Sequence, residues 1–197
     1  MTNRNLRKSP VPEWVHGKWV QVYLDRDPLD RDHGYARVAE NNGIPGVAVI
    51  PVSGDLVGMV RLYRPPISRV IQEIPRGMSD SGDLRTEAAR ELREETGLVV
   101  PPSSLVDLGS VFPNGGLLAT ELRLFAAVID PVDQHSAPED EDEIDQFLWV
   151  PAGELMSVIK DSGLVEECER DAFTEVALLR ALLHGLLPLA SFTSVGR

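Results

Sequence analysis

The 197-residue sequence predicts an α+β domain, a mixed β-sheet with helices packed on it. Three observations carry this expectation. Strand-like apolar runs outnumber helical ones. Neighbouring runs are often joined by hairpin turn signals. The helix signals fall in a few separate segments, one of them closed by a glycine stop.

The elements follow in chain order. Residues 1–10 form a loose polar tail, and Lys18–Leu24 alternates like a half-buried strand. Asp25–His33 is polar and reads as a loop; Pro28 and Leu29 break any calcium-loop spacing. Gly46–Val52 and Leu56–Tyr63 are strands joined by the turn Ser53-Gly54-Asp55. Val70–Ile74 is a short strand. Leu84–Thr96 is a helix with Gly97 as its natural stop. Val106–Phe112, Glu121–Ile129 and Phe147–Val150 are further strands, and Glu154–Lys160 a short helix. A last helix starts near Asp171, with Val176, Leu179, Leu183 and Leu186 at the spacing of a buried stripe. The expected units are a β extension over 1–44, a main domain over 45–190 and a tail over 191–197.

A chain of this length buries roughly 70% of its unfolded surface and folds without disulfides. The single cysteine, Cys168, excludes a disulfide framework and a multi-cysteine zinc site. Glu166, Glu167 and Glu169 beside it disfavour a thiolate nucleophile. The net charge is −12, which argues against nucleic acid as a partner. No apolar segment is long and unbroken enough to span a membrane, and the expected compartment is the cytoplasm. Trp14, Trp19 and Trp149 are expected in the core or at an interface.

The chemistry lies in Arg90-Glu-Leu-Arg-Glu-Glu-Thr-Gly-Leu98. On a helix Glu91, Glu94 and Glu95 share one face, with Glu87 a turn earlier. Such a face is either a solvated charged surface or a site for hard divalent cations, which prefer carboxylate oxygens.

The flanks favour the second reading. Arg90–Leu98 matches R-E-U-x-E-E-x-G-U (U aliphatic), the core of the Nudix box, and the chain resembles the Nudix hydrolases. That resemblance implies a mixed sheet sandwiched between helices, with an N-terminal β extension. It also implies a metal-dependent hydrolase of a diphosphate linked to another moiety. One residue is missing from the box: Gly77 precedes Arg90 by thirteen residues instead of fourteen. The carboxylate that braces the box's loop is then assigned to Asp83.

Val60-Arg-Leu-Tyr-Arg64 followed by Glu73-Ile-Pro-Arg-Gly77 resembles the approach to the box in ADP-ribose pyrophosphatases. Phe112-Pro113-Asn-Gly115 with Glu121, and Asp171-Ala-Phe-Thr174, extend the likeness to roughly residues 46–187. It implies Arg64, with Arg61, Glu73, Gly115 and Glu121, at the substrate. It implies Glu91, Glu94, Glu95 and the Arg76 carbonyl as ligands of Mg2+, which Mn2+ could replace. Many relatives carry a small residue where this chain has Arg76.

The resemblance also implies a homodimer built through residues 18–44. The acidic run Glu139–Asp145 is either a solvated loop or the carrier of a general base, Glu141 or Glu143. The expected reaction is Mg2+-dependent hydrolysis of a nucleoside diphosphate sugar, ADP-ribose first, to AMP and ribose 5-phosphate. A GDP-sugar, a dinucleotide, a non-catalytic nucleotide sensor and a protein-docking role remain as alternatives.

Overall fold

A computed structural model describes residues 8–27, 30–131, 144–160 and 170–188. The run Gly46–Val52 is apolar at every second position on both faces, so it can be covered from two sides. It forms β4 (Gly46–Ser53), buried along its whole length. The Ser53–Asp55 turn, with Gly54 at φ +64°, leads into β5 (Leu56–Arg64). The two strands pair only next to the turn, at Val52↔Val57 and Ser53↔Leu56. Beyond it they part. β6 (Arg69–Glu73) then pairs with β5, and β7 (Arg76–Met78) pairs with β4.

β8 (Val106–Val111), β9 (Leu122–Val128) and β10 (Gln146–Pro151) complete a seven-stranded sheet, five strands in the order β10-β5-β4-β9-β8 with β6 and β7 added on β5 and β4. Among the described strands of this sheet only β4 and β9 run parallel, so the sheet is mixed as expected. Val47 and Val49 pack with Ala88 and Leu92 of helix α1 (Leu84–Thr96) on one face. Ala48, Ile50 and Val52 pack on the other with Leu155 of α2 (Ala152–Lys160) and Leu178 of α3 (Ala172–Leu183). The sheet is thus sandwiched between helices.

A separate antiparallel sheet precedes it: β1 (Trp14–His16), β2 (Val20–Asp27) and β3 (Asp30–Glu40). Two expectations need correction. Most of the expected loop Asp25–His33 is strand, because Asp25 is buried against Arg37 across the β2–β3 pair. The face of α3 turned to the core is Thr174, Ala177, Leu178 and Ala181; of the expected stripe, Val176 and Leu186 pack at the core's edge while Leu179 and Leu183 are exposed. Ala177 and Ala181 are small and fully buried, so the helix lies close to the sheet there. Trp14 and Trp19 are about half exposed. Among the described residues no helix is long and apolar enough to cross a membrane. Cys168, Glu141 and Glu143 lie outside the described residues.

Candidate active site

The site grows from α1. Asp83 caps its N-terminus: its carboxylate accepts from the Thr86 N–H at 3.4 Å and the Thr86 hydroxyl at 2.7 Å. These bonds hold the Asp83 pKa below the usual carboxylate range. Gly97 ends the helix at φ +74°, donating to the Arg93 carbonyl at 2.7 Å. With Ala88 and Leu92 against the sheet, the glutamates turn toward the β7–α1 loop.

Arg90 is the hub of that face. Its guanidinium donates to Glu87 at 3.0 Å, to Glu91 and Glu94 at 2.6 Å, and to the Met78 carbonyl at 3.2 Å. Glu87 is buried and also accepts from the Ser81 hydroxyl at 2.7 Å. Burial works to raise its pKa, but the Ser81 and Arg90 bonds outweigh this and hold it down. The carboxylate that joins Arg90 to the loop is therefore Glu87, whereas the expected brace, Asp83, bonds to Thr86. In the shortened loop the Asp83 side chain is turned back onto the helix end, and Glu87 stands one turn from Arg90.

Glu91 is buried, and burial holds its pKa up against the pull of Arg90. It lies directly under Gly77, where any side-chain carbon would overlap its carboxylate. Glu95 accepts from the Arg76 backbone N–H at 3.1 Å. Both glutamates line a cavity of about 640 Å³. Glu94 does not line it; its carboxylate is occupied by Arg90 and lies 3.6 Å from Arg93. Among the described residues no group of three or more acidic, histidine or cysteine side chains is gathered closely enough to hold a metal. Two carboxylates beside backbone carbonyls still fit magnesium, which keeps several waters and takes its other ligands from substrate phosphates. A cation here would also relieve the burial burden on Glu91.

Other expected residues divide by strand parity and burial. Arg64 lines the cavity, whereas Arg61, of opposite parity on β5, is exposed away from it. Glu73 is 1% exposed and is not among the residues that line the cavity. It instead holds two arginines that line the cavity, Arg64 and Arg76. Thr120 and Leu122 line the cavity, and Glu121 between them does not; its carbonyl accepts from the Gly46 N–H at 3.0 Å. Gly115 is exposed away from the cavity, which its neighbours Pro113 and Leu118 reach.

Sequence reasoning missed Trp19, Asn41 and Phe173, all of which line the cavity. Lys18 lies over the Trp19 ring at 4.5 Å and pairs with Asp80 at 2.6 Å. Asn41 donates to the Ser79 carbonyl at 2.6 Å. The β extension thus grips the short loop from outside. An isolated tryptophan and an asparagine gave no sequence signal for this.

Comparison with known proteins gives the family. A model of the NUDIX domain matches residues 44–168. The methanol dehydrogenase activator of Bacillus methanolicus is 30% identical over 83% of this chain and 89% of its own length. The ADP-ribose pyrophosphatase of Bacillus subtilis is 24% identical over 84% of this chain and 89% of its own. That of Saccharomyces cerevisiae is 26% identical over 73% of this chain, which spans 63% of that protein. Nudix hydrolases generally use divalent metal ions and act on small nucleoside diphosphate compounds. With the box on α1, the divided sheet and the domain match in agreement, the chain belongs to the Nudix family of pyrophosphohydrolases.

Proposed function

We propose that this protein hydrolyses the diphosphate of a nucleoside diphosphate sugar with Mg2+, and that ADP-ribose, giving AMP and ribose 5-phosphate, is its substrate. The carrying observation is that one cavity is lined by an exposed indole, Trp19, by carboxylates that include Glu91 and Glu95, and by the guanidiniums of Arg64, Arg76 and Arg90. The Trp19 face opposite Lys18 offers a stacking surface for a base. Glu91 and Glu95 would hold the cation, with Glu94 and the Arg76 carbonyl as reserve ligands. A cation held there would supply charge neutralisation of the diphosphate and a lowered pKa for an attacking water. Arg64 orients the anionic substrate. Glu141 or Glu143 is the proposed base.

Turnover of a panel of nucleoside diphosphate sugars and dinucleotides with Mg2+ or Mn2+ tests this reading. ADP-ribose is expected to rank first, and Glu95→Gln to lower kcat at least a hundredfold. A GDP-sugar or dinucleotide ranking well above ADP-ribose would overturn the substrate assignment. Glu141→Gln and Glu143→Gln, assayed separately, identify the base by the larger loss of kcat at little-changed KM. The similarity to a methanol dehydrogenase activator favours a second reading, in which the chain stimulates a dehydrogenase. Adding it to such an enzyme, with and without Glu95→Gln, tests that role.

A further inference from the structure

Arg76 stands at the junction of three elements. Its backbone N–H holds Glu95 of α1 at 3.1 Å. Its side chain turns the other way, toward Glu73 and the start of α3. Nε and Nη2 donate to the two Glu73 oxygens at 3.0 and 3.2 Å. The Asp171 carboxylate lies 3.2 Å from Nε, at ion-pair distance but out of hydrogen-bond alignment. The Phe173 ring lies 5.4 Å from the guanidinium carbon.

This mounting is itself fixed. Asp171 accepts from the Thr174 N–H at 2.9 Å and so caps α3. The buried Thr174 hydroxyl accepts from the Ile74 N–H at 3.0 Å, across 100 residues of sequence. The arginine therefore spends its rotamer freedom on folding, not on binding. Its Nη1 edge has no partner among the described residues, and the residue lines the cavity.

We propose that Arg76 contacts the substrate directly: its Nη1 edge donates to a phosphate oxygen of the diphosphate, and Glu73, Asp171 and Phe173 position it. This rests on the cavity being a nucleoside diphosphate site. A phosphate oxygen fits better than a sugar hydroxyl because a guanidinium edge makes a charge-assisted bond to an anionic acceptor. Arg64 and Arg76 are balanced in formal charge by Glu73 and Asp171. The cluster therefore supplies a directed donor and not a general attraction for anions.

The test compares wild type, Arg76→Ala, Arg76→Lys and Thr174→Val. Kinetics are measured on ADP-ribose, binding of its non-hydrolysable α,β-methylene analogue by calorimetry, and Mn2+ binding and Tm without substrate. Arg76→Ala is expected to raise KM and the analogue Kd about tenfold while Mn2+ binding stays within twofold. Guanidinium ion at tens of millimolar is expected to restore part of the loss. Arg76→Lys is expected to stay impaired, because an ammonium cannot bridge both Glu73 oxygens and still present a free edge. Thr174→Val loosens the same junction and is expected to lower Tm without the tenfold rise in KM. Equal analogue binding by wild type and Arg76→Ala overturns the assignment, as does a parallel loss of Mn2+ binding. If wild type neither binds the analogue nor cleaves ADP-ribose, the functional reading fails, and this inference with it.

Discussion

At the scale of single residues, the missing residue in the box redistributes two tasks. Asp83 keeps the helix cap, and Glu87 holds Arg90. Arg90 in turn touches both Glu91 and Glu94, so a slack Arg90 lets the buried Glu91 carboxylate move. Glu87→Gln keeps the shape and an acceptor for Ser81 but removes the charge facing Arg90. It is expected to raise the half-saturating Mn2+ concentration several-fold with little change in Tm. Asp83→Ala is expected to do the reverse: Tm falls by a few degrees through the lost cap, and metal affinity holds. Manganese titration followed by water-proton relaxation, beside a melting curve, separates the two. A larger metal effect for Asp83→Ala would return the brace to Asp83.

At the scale of elements, the sequence was legible wherever local pattern and tertiary role agreed. α1 carries both a cap and a glycine stop, and its bounds match the sequence reading. β4 and β5 carry the apolar run and the Gly54 turn. The extension was less legible because its strands are stabilised by polar partners. Asp25, 3% exposed, accepts from the Ser9 N–H at 2.8 Å and from Arg37 at 2.7 and 3.2 Å. An aspartate-rich stretch reads as a loop when its cation lies twelve residues away on the next strand. The site was half legible for the same reason. The box glutamates are adjacent in sequence, whereas Trp19 and Phe173 reach the cavity only through the fold. The Arg37 bond holds the Asp25 pKa below the usual value. A depressed carboxylate stabilises the folded state above its unfolded pKa, near 4, and that contribution is lost as pH falls through the folded value. The extension is thus expected to loosen below about pH 4, read as a shift in tryptophan emission from Trp14 and Trp19. Asp25→Asn is expected to show the loosened emission already at neutral pH. Wild-type emission unchanged between pH 6 and 3 would contradict this.

At the scale of the whole molecule, the charge of −12 is unevenly placed. Residues 87–95 carry four acids and two arginines, and residues 139–145 carry six acids. The first cluster is partly neutralised by Arg90, yet Glu91 stays burdened by burial. Two kinds of ion should therefore stabilise the fold by different routes. Sodium chloride screens the overall self-repulsion, an effect that is diffuse and indifferent to any one side chain. A divalent cation that binds the folded site alone stabilises by mass action, about 2.7 kcal/mol at a hundredfold excess over its Kd. For a chain of this size that is a rise in Tm of roughly 5–10 °C. Millimolar Mg2+ is thus expected to raise Tm well beyond sodium chloride of equal ionic strength. Glu95→Gln removes a ligand charge and is expected to abolish the excess while leaving the sodium chloride effect intact. If the two salts act alike at matched ionic strength, the acidic clusters are only a solvated surface. If Mg2+ keeps its advantage in Glu95→Gln, the cation sits elsewhere on the chain.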